Sequence, residues 1–129
     1  MKLLLDTHVA IWATHQPERL PSHIATALIE NAGSIEVSVA AIWEIAIKHP
    51  LGRSTQPPFN AQQAILEFDA AGFTLLDVTA NHAAFVERLP PIHADPFDRL
   101  MLAQSIVEGM QFVTYDKNLA RYDVALLTW

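Results

Sequence analysis

The segment KLLLDTHVAIWAT, residues 2–14, joins an apolar run to a helical pattern through one acidic residue, Asp6. The leucines predict a buried strand over residues 2–5, and the spacing after them predicts a helix over residues 7–14. A carboxylate in this position is costly to bury unless a hydrogen-bond partner, an opposite charge or a metal compensates. Asp6 is therefore either the N-cap of the helix or part of a site that neutralises it.

Three further acidic residues interrupt or border apolar runs. Glu44 lies inside IWEIAIK, Asp98 precedes LMLA, and Asp116 follows FVTY. Asp6 and Asp116 follow predicted strands, while Glu44 and Asp98 lie in the first turns of predicted helices. Because ligands bind beyond the carboxyl ends of parallel strands, we expect the four acids to converge on one edge of the sheet. Grouped carboxylates predict an all-oxygen site for a hard divalent cation.

Short apolar runs alternate with longer helical patterns along the chain, which is typical of an α/β domain with a parallel sheet. Strands are predicted at residues 2–5, 35–39, 73–78, 111–114 and 124–128. Helices are predicted at residues 7–14, 23–32, 40–49, 60–71, 81–89 and 96–108. The length of 129 residues and the hydrophobic content of 51% predict a single domain over residues 1–129.

The cysteine content, the first apolar run and the net charge exclude or disfavour several classes of protein. The chain has no cysteine, which excludes disulfides and thiolate metal sites and is compatible with the cytoplasm. Asp6 and His8 interrupt the first apolar run, so we expect neither a signal peptide nor a membrane span there. The net charge of -6 disfavours binding of a polyanion unless bound cations offset it.

Two of the acids have clear structural alternatives. Glu44 and Lys48 are four residues apart, in the order that favours an ion pair on a helix. Asp116 can initiate a turn, and Thr114 is a candidate to support it by hydrogen bonding.

The segment DPFD, residues 95–98, is typical of a helix start. Asp95 suits the N-cap position and Pro96 the first helical position, so we favour a structural role for Asp95. Asp98 resembles the acid of a capping box, and local sequence does not separate that role from metal binding. The joint placement of four acids favours the metal site.

Other motifs are absent from the sequence. The six histidines show no zinc-ligand spacing, and there is no P-loop, GxGxxG or GxSxG motif. Two alternatives to an enzyme remain. A receiver-like phosphoacceptor domain would need an adjacent acidic pair early in the chain, which is missing. A non-catalytic module that binds RNA or a partner would not need all four acids.

The acidic motifs resemble those of the PIN-domain ribonucleases, specifically the VapC-type toxins of type II toxin-antitoxin pairs. Four segments carry the resemblance: LLLDTHVAIW (3–12), SVAAIWEIAIK (38–48), HADPFDRLMLAQS (93–105) and FVTYDKNLARY (112–122). It implies a three-layer sandwich in which helices flank a central parallel sheet of about five strands, in the order 3-2-1-4-5. The catalytic and metal-binding acids of the family fall on Asp6, Glu44, Asp98 and Asp116, with Asp95 and Thr114 as supporting residues.

The same resemblance implies a metal-dependent endoribonuclease that uses one or two Mg²⁺ or Mn²⁺ ions. Homodimerisation and inhibition by a cognate antitoxin are also implied. Ala94 stands where similar sequences often carry a basic residue, so a phosphate contact is absent there.

Substrate and partner contacts are predicted from the remaining residues. Basic residues near the acidic motifs are predicted to contact RNA phosphates, with surface salt bridges as the alternative: Lys48, Arg99, Lys117 and Arg121. An apolar groove on the first helices is predicted to receive a partner helix, with core packing as the alternative: Ile11, Trp12, Ile24 and Leu28.

Overall fold

The computed structural model describes residues 2–53, 57–122 and 125–129. Its centre is a parallel sheet of five strands in the order β3-β2-β1-β4-β5, which confirms the predicted topology. The strands are β1 (Leu3–Leu5), β2 (Ile35–Ser38), β3 (Thr74–Leu76), β4 (Gln111–Val113) and β5 (Leu126–Leu127). Val124 of the predicted fifth strand lies outside the described residues, as do residues 54–56 of the predicted loop after Pro50.

The helices flank this sheet close to where the sequence predicts them. They are α1 (Thr7–His15), α2 (Ser22–Glu30), α3 (Val39–Lys48), α4 (Ala61–Ala70), α5 (Ala80–Phe85) and α6 (Pro96–Glu108). The prediction of one helix over residues 81–89 was wrong in its second half, because α5 ends at Phe85 and a 3₁₀ turn follows at Val86–Arg88. Leu89 N–H donates to Val86 C=O, and Pro90 disfavours helical backbone in the residue before it.

The middle strand β1 is buried along its whole length. Leu3, Leu4 and Leu5 are at most 1% exposed. A strand covered by helices on both faces needs a continuous apolar run instead of an alternating one, which explains the three consecutive leucines. No helix in the described ranges is long and apolar enough to cross a lipid bilayer.

The strand order reverses on the two sides of β1, since β2 lies on one side and β4 on the other. Leu5 is in register with Val37 of β2 and with Val113 of β4. The next residue, Asp6, donates its N–H to Val113 C=O at 2.9 Å. Asp6 therefore lies at the topological switch point, where open parallel sheets bind ligands.

Candidate active site

Asp6 begins α1 and also faces the switch point. Its Oδ1 accepts the N–H groups of His8 at 2.9 Å and Val9 at 3.2 Å, which confirms the N-cap role. Its Oδ2 accepts the Thr114 hydroxyl at 2.6 Å. The side chain is buried, and this burial raises the pKa of Asp6 even though the hydrogen bonds from Thr114 and Val9 oppose the shift. The structural and metal-binding interpretations are thus compatible at this residue.

Glu44 is buried on α3, one turn after the carboxyl end of β2. Its Oε2 forms the predicted ion pair with Lys48, while its Oε1 accepts the Thr7 hydroxyl at 2.5 Å. Burial lowers the pKa of Lys48, but the hydrogen bond and charge of Glu44 outweigh it, so that this pKa lies above its usual value. Thr7 was not among the predicted site residues, because its partner is 37 positions away.

Asp95 and Asp98 have different roles at the start of α6. Asp95 caps the helix by accepting the N–H groups of Phe97 at 2.8 Å and Asp98 at 3.2 Å, as predicted. The Asp98 carboxylate accepts no hydrogen bond from the described residues. Burial raises the pKa of Asp98 to about 8, and the charges of the other acids add to the shift: Asp6, Asp95, Glu44 and Asp116. The four predicted acids therefore lie near enough to interact.

His93 is a site residue that the sequence analysis missed. Its Nε2 lies 2.5 Å from Asp116 Oδ2 and 3.3 Å from Asp98 Oδ2. Its Nδ1 accepts the Asp95 N–H at 3.0 Å, so the ring proton is on Nε2 and is donated to Asp116. The histidine was considered only as a zinc ligand, and its position two residues before an N-cap aspartate was the available signal.

Asp116 lies at the start of a 3₁₀ turn, Lys117–Arg121, just after β4. Burial acts to raise the pKa of Asp116, but hydrogen bonds from His93 and from the Asn118 backbone outweigh it and hold this pKa below its usual range. Ligand atoms of His93, Asp98 and Asp116 lie within 4.8 Å of one another. This trio is close enough to bind a single ion.

These residues line an open cavity of about 570 Å³, which we call the acidic cavity. Its walls are formed by Asp6, His8, His93, Asp95, Asp98, Tyr115, Asp116 and Lys117. Glu44 lines a neighbouring cavity instead, together with Lys48. The carboxylates of this cavity, of which Asp6 and Asp98 have raised pKa values, form a donor set that fits a hard divalent cation, because the cation would relieve their repulsion.

The four basic residues that were predicted to contact RNA phosphates differ in their position relative to the acidic cavity and in their partners. Lys117 lines the acidic cavity, and Arg121 is exposed on the same 3₁₀ turn. Lys48 is paired with Glu44. Arg99 points its guanidinium into the protein, where it donates to backbone carbonyls of four residues: Val86, Leu89, Pro90 and His93. These bonds fix the loop before α6, which is a structural role that the sequence analysis did not predict for Arg99.

The prediction of one continuous apolar groove on the first helices was wrong. Ile11, Trp12 and Ile24 belong to the buried core. Ile11 and Trp12 nevertheless line the cavity that Glu44 faces, and Leu28 borders a separate apolar groove beside Ile29, which is 76% exposed. Core packing, the alternative interpretation, therefore accounts for most of these side chains.

The protein is an α/β domain whose acidic cavity lies at the carboxyl edge of a parallel sheet. Comparison with known proteins identifies the family that has this arrangement. The PIN domain family model matches residues 3–125, so the chain belongs to the PIN domain family. Ribonuclease VapC22 from Mycobacterium tuberculosis (strain ATCC 25618 / H37Rv) is 30% identical over 128 residues, which cover 91% of this chain and 88% of that protein.

Two solved toxin-antitoxin structures share the fold. VapBC2 from Rickettsia felis bound to a promoter DNA fragment has a TM-score of 0.73 and 17% identity, and covers 100% of this chain and 99% of that chain. DNA-bound VapBC from Salmonella typhimurium has a TM-score of 0.71 and 18% identity, and covers 100% of this chain and 98% of that chain. The predicted resemblance to VapC-type proteins is thereby confirmed.

Proposed function

We propose that the protein is a metal-dependent endoribonuclease that acts as the toxin of a toxin-antitoxin pair. The observation that carries the proposal is the state of Asp98. This carboxylate is half-buried and surrounded by other acids, it accepts no hydrogen bond from the described residues although His93 Nε2 lies 3.3 Å from its Oδ2, and its pKa is raised to about 8. Such a group binds either a proton or a cation. The family membership and the similarity to Ribonuclease VapC22 support the ribonuclease assignment.

We assign the cation ligands to Asp6, Glu44, Asp98 and Asp116, and the expected ion is Mg²⁺ or Mn²⁺, one or two per site. A divalent cation held by these acids would lower the pKa of a bound water and would offset the charge of the scissile phosphate. Asp98 orients the attacking water, because its oxygens accept no hydrogen bond from the described residues. Thr114 and the α1 N-terminus hold Asp6, and Asp95 positions Asp98 by capping α6.

The side chains around these acids complete the proposed mechanism. His93 donates to Asp116 and so holds one carboxylate in a defined orientation. Lys117 and Arg121 supply positive charge for the RNA phosphates at the rim, and Lys48 does so from its ion pair with Glu44. Arg99 contributes through the loop that its guanidinium holds.

Partners follow from the same assignment. We propose a cognate antitoxin as the inhibitor and the cytoplasm as the place of action, where the RNA substrates are. A homodimer is supported by an exposed apolar row on α3, whose members are spaced at i and i+4: Val39, Trp43 and Ile47. Light scattering of the purified protein tests the dimer.

The test is RNA cleavage by purified wild type and by Asp98→Asn, with Asp69→Asn as the matched control. Asp69 is an exposed acid on α4, away from the acidic cavity. We expect wild type and Asp69→Asn to cleave RNA only with Mg²⁺ or Mn²⁺ and to lose activity in EDTA. Asp98→Asn should stay folded and lose at least 100-fold in rate, on the order of one lost transition-state interaction.

Full activity of Asp98→Asn would refute the assigned site. A folded wild type that binds RNA but does not cut it with either ion would instead support the non-catalytic module.

A further inference from the structure

A second cavity lies directly beside the acidic one, and we propose that it binds the base of a nucleotide next to the scissile phosphate of single-stranded RNA. We call it the flanking cavity. Its volume is about 490 Å³, and the aromatic and basic residues that line it include His8, Trp12, His15, Arg19 and Lys48. This volume is in the range of small-ligand pockets, about 300 to 1,000 Å³. The inference rests on the proposed function and adds a substrate subsite to it.

The two cavities adjoin at the start of α1. His8 lines both of them. Thr7 lines the flanking cavity and follows Asp6 of the acidic cavity in the chain. Glu44, which raises the pKa of Asp98 through its charge, also faces the flanking cavity. A chain whose phosphate lies at Asp98 would therefore place a neighbouring nucleotide at His8 and Trp12.

The charges of the two cavities are complementary to different parts of a nucleotide chain. Asp6, Asp95, Asp98 and Asp116 line the acidic cavity, which attracts cations. The flanking cavity carries Arg19 and Lys48 against the single acid Glu44. A polyanion that enters an acidic site needs positive charge on either side of the reacting phosphate. Because Lys48 is already paired with Glu44, Arg19 is the residue that supplies this charge beside α1.

Arg19 is the residue best suited to contact the base. Its guanidinium lies over the Trp12 ring at 4.4 Å from the centroid. It forms no ion pair with any acid in residues 2–53, 57–122 and 125–129, and its backbone is held in the 3₁₀ turn Pro17–Arg19 by a bond from Arg19 N–H to Gln16 C=O. The outer face of an ordered guanidinium is a stacking surface for a splayed base, and such bases occur in single-stranded RNA.

The experiment compares wild type, Arg19→Ala and the matched control Arg88→Ala. Arg88 is also exposed and also lies over an aromatic ring, that of Phe85 at 5.6 Å, but it does not line either cavity. A single-stranded oligonucleotide that wild type cleaves is selected from a randomised pool. An abasic ribonucleotide is then placed at each position that flanks the cleaved bond, and kcat/KM is measured for each enzyme and substrate.

At one flanking position, we expect the abasic substitution to lower kcat/KM of wild type and of Arg88→Ala about tenfold, as for loss of one stacked base. Arg19→Ala should show the same loss on the intact RNA and little further loss on the abasic RNA. This coupling is not expected from a general structural defect. Equal abasic penalties for all three proteins at every position would overturn the subsite, although cleavage by wild type would leave the ribonuclease assignment intact.

Two further outcomes also overturn the subsite. If Arg19→Ala changes only the binding of the antitoxin, the cavity takes the protein partner. If wild type cleaves no RNA in the pool with Mg²⁺ or Mn²⁺, the proposed function fails and the subsite fails with it.

Discussion

The substitution Asp98→Asn should make the metal-free protein more stable at alkaline pH while it removes RNA cleavage. Asp98 is 19% exposed at its side chain and faces four other carboxylates. In the metal-free protein its ionised form is therefore unfavourable. Asparagine has nearly the same shape and carries no charge, so it removes this repulsion.

The direction and the size of the stability change with pH follow from the difference between the pKa of Asp98 in the folded and unfolded protein. The pKa of Asp98 is about 8 in the folded protein against an ordinary value of 3.8. The folded state therefore holds the proton more tightly than the unfolded chain, and the stability of the wild type falls as pH rises between these two values, by about 1.4 kcal/mol per pH unit. From pH 5 to pH 8 this amounts to about 4 kcal/mol. Relaxation and water entry reduce such penalties, so we expect about 2 to 4 kcal/mol.

The assay is urea denaturation in EDTA, near pH 5 and near pH 8, for wild type, Asp98→Asn and the surface control Asp69→Asn. The free energy of unfolding of Asp98→Asn relative to wild type should increase by about 2 to 4 kcal/mol between the two pH values. Adding Mn²⁺ near pH 8 should stabilise wild type and Asp69→Asn but leave Asp98→Asn nearly unchanged.

Two results would refute the reasoning. One is a stability difference between Asp98→Asn and wild type that is the same near pH 5 and near pH 8. The other is a control variant that shows the same pH dependence as Asp98→Asn.

Three further substitutions test the surroundings of the site. Thr114→Val removes the hydroxyl that donates to Asp6 at 2.6 Å and should cost about 1 to 3 kcal/mol in urea denaturation, whereas Thr114→Ser should cost less. Arg99→Ala should lower stability by about 2 kcal/mol and leave the salt dependence of RNA binding unchanged, while Lys117→Ala should reduce that slope by about 1. Gly109→Ala places a side chain at a φ of 67°, where α6 ends, and should lower stability by about 1 kcal/mol in thermal unfolding.

The elements of the fold were predictable because each has a local cause. The run Leu3–Leu5 is apolar without alternation, as a strand buried on both faces requires. The start of α6 was predicted to the residue, since Asp95 and Pro96 are favoured at its first positions. The strand order came from the family resemblance. The end of α5 was missed because Pro90 marks only where the segment stops, and nothing in the helical pattern marks the change to a 3₁₀ turn at Val86–Arg88.

The site was predictable only in part, because some of its residues stand out within their own segment and others are identified only by contacts between distant segments. An acid at the end of an apolar run is unusual within its own segment, so Asp6 and Asp116 could be found locally. The bonds from Thr7 to Glu44 and from His93 to Asp116 join residues 37 and 23 positions apart, and no local pattern marks them. Arg99 was assigned to RNA for its charge alone, whereas the carbonyls that it binds are visible only in the folded chain.

The four acids differ in how the protein compensates their charge, and this difference indicates what each can contribute. Asp6 accepts hydrogen bonds from Thr114 and from the start of α1, and Glu44 is held by Thr7 and Lys48. These two carboxylates are oriented before any ion binds, which lowers the entropic cost of binding it. Asp98 accepts no hydrogen bond within the described ranges and has only His93 Nε2 nearby, at 3.3 Å, so the protein compensates its charge least. Burial raises the pKa of Asp6 as well as that of Asp98, so a bound cation would stabilise both charged carboxylates. Asp98 has the least compensation from the protein, and its substitution is therefore expected to separate stability from activity.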